Sequence, residues 1–310
     1  MLRANTHTRR VAAALGSLLL TGCHAAPAIP TPAPPSSTPG GQQPTTPDTA
    51  ATAPGLTPPQ RLTTIAATLR PVPTDSTTHL PITYLHLQTW TRATTVIRRE
   101  DLRRWRHPDG SGHETIRRAP DMPNVDHQPT PTERHLFTQA PPTTTRYRDD
   151  LHPYLPEALP TNPAALAELL APPELATEPA YPRILTRGVI GLAASQYLDQ
   201  QQRATTLHVL AAVPGITYHE TTTDLAGRAG LGFRVVADTS TTTLIIDPGT
   251  GELLAAQERV TGTRPGLFSH ILILDRGHTD ADGMPPDAGV RIPVQSPVRQ
   301  RCTRAGSGVV

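Results

Sequence analysis

Two cysteines, Cys23 and Cys302, are the only thiols among 310 residues. A thiol can serve as nucleophile, metal ligand or half of a disulfide. Cys23 directly follows Leu20-Thr21-Gly22, whereas Cys302 lies in a polar tail. If Cys23 is consumed by modification, Cys302 has no internal partner and the fold gains nothing from disulfides. The thirteen histidines contain no His-x-x-x-His or His-Glu-x-x-His pair that would set two ligands on one helical face. His79 and His86 flank the start of a strand, and His107 and His113 flank the Pro108–Gly112 turn. With Asp109 and Glu114, the latter pair forms the one local cluster with ligand chemistry, and solvated hairpin side chains explain it better. No metal site is assigned. No Gly-x-Ser-x-Gly elbow or Ser-x-x-Lys occurs, and Ser195 falls in an expected helix. Asp247, before Pro248-Gly249-Thr250-Gly251, reads as a turn-capping carboxylate rather than an acid or a ligand. Gly227 to Gly232 has the glycines of a phosphate loop but lacks Gly-Lys-Ser/Thr and a following helix. No motif here points to a catalytic residue or a cofactor, although catalytic residues can also converge from distant parts of a chain.

The residues around Cys23 carry a more definite chemistry. Arg3, Arg9 and Arg10 precede a ten-residue apolar run, Val11 to Leu20. That run is about half of the ~20 residues a membrane-spanning helix needs. The layout is that of a secretory leader. Leu20-Thr21-Gly22-Cys23 resembles the lipobox of bacterial lipoproteins. The resemblance implies cleavage between Gly22 and Cys23 and attachment of diacylglycerol to the Cys23 thiol. Small residues at Thr21 and Gly22 let the chain lie extended in a peptidase groove. Acyl chains contribute about 0.8 kcal/mol per buried methylene, so two or three of them anchor firmly. The Arg9-Arg10 pair fits a twin-arginine signal poorly. Residues 1–22 are thus expected to be a signal peptide, and the mature chain to sit lipid-anchored on the extracytoplasmic side of the cell membrane.

Residues 23–57 are Pro, Thr, Ala, Ser, Gly and Gln with almost no large apolar side chain. Such a segment cannot offset its conformational entropy by burial and reads as a disordered tether. Fully extended at ~3.1 Å per residue it would reach on the order of 100 Å. The formal charge of +2 and the absence of lysine give no basic face for nucleic acid. The densest basic run, Arg98 to Arg106, is interrupted by Glu100 and Asp101 and reads as a solvated strand or hairpin edge.

Positioning elements are expected over residues 58–276, with a flexible tail at 277–310. Leu62, Ile65, Ala66 and Leu69 repeat at helical spacing, behind Thr57 as N-cap and before Pro71. Ile82 to Thr91 alternates as a strand, with Ile82, Tyr84, His86, Gln88 and Trp90 on one side. Thr94 to His107 and His113 to Arg118 pair across the Pro108–Gly112 turn. Ala119 to Pro160 reads mostly as loop. Helices follow from Pro163 to about Leu170, Tyr181 to Gln201 and Arg203 to Val213. Strands then occupy Ile216–His219, Asp224–Ala237, Thr243–Asp247, Glu252–Thr261 and Phe268–Asp275. Strands, then helices, then strands predict one α+β domain: a curved, half-open-barrel-like antiparallel sheet with helices packed on one side.

The series Val213-Pro214-Gly215-Ile216, Asp224 to Gly230 and Leu244 to Leu254 is similar to the C-terminal half of an uncharacterised actinobacterial cell-envelope family. Trp105 and the Asp109-Gly110-Ser111-Gly112 hairpin match that family's first half. Members usually reach the exterior through a transmembrane helix, some beside extracytoplasmic sigma-factor systems; this chain carries a lipobox instead. The element order also resembles the half-barrel of lipoprotein carriers. These resemblances imply a fold and a location. The leading expectation is a non-catalytic lipoprotein, held to the membrane by its lipid, that binds a hydrophobic ligand or an envelope protein partner in envelope sensing. The alternatives are a cell-wall or glycan hydrolase with dispersed carboxylates, and a structural surface protein.

Overall fold

The computed structural model describes residues 50–155 and 158–281. The first helix, α1 (Pro58–Ala67), starts where the local chemistry requires. The Thr57 hydroxyl accepts from the Gln60 N–H while the Gln60 side chain accepts from the Thr57 N–H, satisfying two of the free donors at the helix start. A 3-10 turn at Pro73–Thr77 follows. Strands β1 (Ile82–Ala93), β2 (Val96–Arg106) and β3 (Gly112–Met122) then form a meander. The stretch expected to be loop contains a short helix, α2 (Arg134–Gln139), and a fourth strand, β4 (Pro142–Tyr147). None of the β4 side chains is buried, so Pro-Thr-Thr-Thr-Arg-Tyr shows no apolar alternation; it is an edge strand held by pairing to β3.

The helical block comprises α3 (Pro163–Leu170), α4 (Tyr181–Ala193) and α5 (Gln200–Ala211). Asn162 caps α3 by accepting from the Ala164 and Ala165 N–H groups. The helix expected to run from Tyr181 to Gln201 stops at Ala193, because Asp199 and Gln202 form a capping box that starts α5. Strands β5 (Thr217–Thr223), β6 (Ala229–Ala237), β7 (Ser240–Ile246), β8 (Leu253–Val260) and β9 (Gly266–Thr279) follow; β9 runs past the expected end at Asp275 into the stretch expected as a flexible tail, because residues 277–279 pair with β1.

All nine strands join one antiparallel sheet, ordered β4-β3-β2-β1-β9-β8-β7-β6-β5 and not closed into a barrel. The expected α+β architecture is what the chain adopts. Two meanders meet where β9 pairs with β1. One face carries α1, α3, α4 and α5 over a core that includes Leu85, Leu207, Phe233, Leu244 and Ile273. Strand alternation sends Trp90 and Leu272 to the opposite face, where with Phe137 of α2 they build a second, smaller cluster. Among the described residues no helix is long and apolar enough to cross a membrane.

The basic run corrects its sequence reading. β2 is an interior strand, and Arg99, Asp101 and Arg106 are buried. Arg99 meets Glu133, Arg104 meets Glu114, and Asp101 accepts from Gln88 and lies 2.9 Å from His86 Nε2. The charges that resembled a wet edge are mostly pairs with distant residues.

Leu207 is 1% exposed and lies among the helix-side apolar residues. Leu207→Ala is expected to cost about 2–5 kcal/mol by cavity formation. Val236→Ala, on a strand residue 63% exposed, should stay within about 0.5 kcal/mol. Urea denaturation of the two variants checks the contrast.

Candidate functional site

The polar framework beneath the candidate site begins with Arg203 on α5. It is 1% exposed, too deep for a guanidinium to remain without partners. Its Nη1 and Nη2 donate to the two Asp75 carboxylate oxygens at 3.0 Å each, Nε donates to the Thr250 carbonyl at 2.7 Å, and Nη1 also reaches the Leu198 carbonyl. Burial pushes the Asp75 carboxyl upward, but hydrogen bonds from Arg203, Tyr197 and the Val72 N–H, with the Arg203 charge, outweigh it and hold it below the usual range. The Tyr197 hydroxyl donates to Asp75 and accepts from Thr74, and its ring meets His278 edge-on at 5.3 Å. The segment from Val72 to Pro81 is thereby strapped to α5 and to the β7–β8 turn.

The strap forms one wall of a cleft of about 670 Å3. The other walls are the end of β2 with its turn (Arg106 to Gly110), the segment Leu151–Pro153, and His278 from β9. The turn is held in place by local chemistry. Gly110 has φ +80°, and a Cβ there would meet the Asp149 backbone oxygen at 2.8 Å, so the turn and the returning chain touch only through glycine. Leu151 N–H donates to the Gly110 carbonyl. Four imidazoles, His79, His107, His152 and His278, line the cleft with Arg106. Among the described residues Asp109 is the lining's one carboxylate, and its Oδ1 accepts from the Ser111 N–H.

Arg106 is the unbalanced charge of this site. It is buried, yet its recorded hydrogen bond is a long one, 3.5 Å to the Ser195 carbonyl. Among the described residues it has no carboxylate within ion-pair distance, unlike Arg99 and Arg104 on the same strand. Burial first, then the neighbouring Arg104, lowers its pKa from the ordinary arginine value. Burial and then Arg106 lower that of His278.

The clustered residues noted in the sequence separate in space. Strand alternation turns His113 to one face, where it stacks on Trp105 at 4.6 Å between ring centroids, and Glu114 to the other, where it binds Arg104 and Tyr147. Only His107 and Asp109 reach the cleft. Among the described residues no three His, Cys, Asp or Glu side chains are placed to hold a metal. Asp247 caps its turn, accepting from the Gly249 and Thr250 N–H groups. The Gly227–Gly232 stretch is likewise structural: Asp224 closes its turn onto Arg228, and a Cβ on Gly232 would strike the His219 backbone oxygen at 2.6 Å. Ser195 lies just past α4 rather than inside a helix, and its hydroxyl is spent on the Leu192 carbonyl. Cys23, Gly22 and Cys302 lie outside the described residues. Arg106, His152 and His278 are functional candidates that the sequence reading missed; no spacing links them, because three separate segments carry them.

On the opposite face, His270 is buried edge-to-face with Trp90 at 5.3 Å, and neither ring nitrogen has a hydrogen-bond partner among the described residues. The fold and cleft together define an α+β protein with one open nine-stranded antiparallel sheet and a histidine- and arginine-lined cleft at its helix-bearing side. No protein-family model and no curated protein matches the chain.

Burial pushes the His270 pKa down to about 4 from its ordinary 6.5. Between these values the unfolded state binds the extra proton, so stability is lost as pH falls from about 6.5 towards 4. The loss should be on the order of 3 kcal/mol. Denaturation midpoints across that range check it, and His270→Leu should flatten the slope.

Proposed function

We propose that the protein is a lipoprotein of the cell membrane's extracytoplasmic face, anchored through Cys23, whose folded domain is a non-catalytic binding module on a tether. The observation that carries this reading is Leu20-Thr21-Gly22-Cys23 behind a basic segment and a ten-residue apolar run. The expected tether accounts for a domain that works away from the lipid surface, and its last residues belong to the fold: Ala51 is buried in the helix-side core and its carbonyl accepts from Arg61. The family resemblance in the turns and strands of the second half supports the same location.

Packing bears on where such a module binds. A carrier of a hydrophobic ligand needs apolar space between sheet and helices. Here Leu62, Ile65, Leu185, Leu207, Phe233 and Leu244 fill it, each at most 1% exposed. A void of about 20 Å3 beside Arg203 and Arg276 is too small for a lipid chain. This supports binding at a surface cleft rather than in an interior cavity, in keeping with a sensing or docking role. A glycan hydrolase would require two carboxylates roughly 5–9 Å apart across its cleft; among the described residues this cleft offers one, Asp109.

The test is metabolic labelling with palmitate in cells producing the full-length chain or its Cys23→Ala variant. The native chain should take up label and fractionate with the membrane, and the variant should do neither. Label and membrane attachment that persist in the variant would overturn the proposal.

A further inference from the structure

Burying a guanidinium without a counter-charge is costly, and proteins normally offset the cost with a carboxylate or a set of carbonyls. Arg203, Arg276 and Arg99 follow that rule: each has a carboxylate and at least one backbone carbonyl. Arg106 does not. It stands at the wall of a cleft of about 670 Å3, with one long bond to the Ser195 carbonyl. Around it converge His79, His107, His152 and His278 from four different segments, each bringing a ring that donates at least one N–H in either protonation state. The carboxylate of Asp109 is turned to its own backbone at Ser111.

We propose that this cleft binds an oxyanion, a phosphate, sulfate or carboxylate group carried by a small molecule or a polymer, with Arg106 as its buried anchor and the imidazoles as surrounding donors. The ligand supplies the negative charge that the fold withholds from Arg106. Arginine suits this task because its planar fork presents paired donors to a tetrahedral or planar anion. The wall bearing His79 is fixed by the Asp75–Arg203 pair, so the donors are held in position before a ligand arrives. This deepens the reading of the domain as a binding module and owes nothing to Cys23. Failure of palmitate labelling would leave it standing.

The experiment is isothermal titration of the full chain in detergent with sodium sulfate and, in a second arm, sodium acetate, at ionic strength balanced with sodium chloride. One site per chain is expected, with the tighter ion telling a tetrahedral oxyanion site from a carboxylate site. Arg106→Gln should weaken binding by about tenfold or more, the effect of losing one charge-assisted contact. Circular dichroism establishes that this variant is folded. Should it not fold, His107→Ala and the exposed His152→Ala decide instead, each expected to weaken binding about threefold. The proposal is overturned if neither ion binds the native chain at up to about 10 mM, or if affinity is unchanged in the folded Arg106→Gln chain or in both histidine variants.

Discussion

The architecture depends on one buried ion pair. Arg203 sits where the helix layer, the β7–β8 turn and the chain before β1 meet, and its N–H groups are shared among all three. A guanidinium at that depth is tolerated only with near-complete hydrogen bonding, so geometry there is narrowly constrained. Its forked contact to Asp75 fixes the strap from Val72 to Pro81, and Tyr197 extends the same network to the ring of His278. Two walls of the cleft are thus set by a residue that does not line it. Energetics in the core and the shape of the surface site are the same problem at this point.

The sheet supplies the remaining walls. Because β9 inserts beside β1, His278 at the end of the chain's last strand comes alongside Thr83 at the start of its first. The β2–β3 hairpin then places Arg106 and His107 on the neighbouring strand and turn. An antiparallel meander would ordinarily carry such a charged strand at its rim. Here β2 is interior, and its charges are matched from both sides by Glu133, Glu114, His86 and Gln88. Among the strand's buried charges Arg106 is the exception, and it lies at the cleft.

Features set by neighbouring residues were legible in the sequence. Thr57 with Gln60, Asn162 with Pro163, and Asp247 before Pro248 each announce a cap or a turn through contacts within four residues. The apolar face of α1 and the strand alternation of β1 were legible through periodicity; the helix-side face of β1 at Leu85 and Leu87 was not. Features set by distant partners were not. β4 buries no side chain and is a strand only because β3 offers it a ladder. The acidic and basic residues of β2 look solvated until Glu133 and Glu114 are brought against them. The cleft was invisible for the same reason, its donors coming from residues 79, 106–107, 152 and 278. One local signal also went unread: the helix expected through Gln201 ends early because Asp199 with Gln202 caps the next one. The reading of Cys23 is the reverse case: it is written entirely in local sequence, and it lies outside the described residues.

The most direct test of this account is a double-mutant cycle on Asp75 and Arg203, using Asp75→Asn, Arg203→Met and the pair together, with stability measured by urea denaturation at neutral pH. If the buried fork organises the strap and the helix layer, the two single losses should be strongly non-additive, with a coupling of about 2–3 kcal/mol. Additive losses, with coupling below about 0.5 kcal/mol, would mean that strap and helix are held independently and would contradict the account.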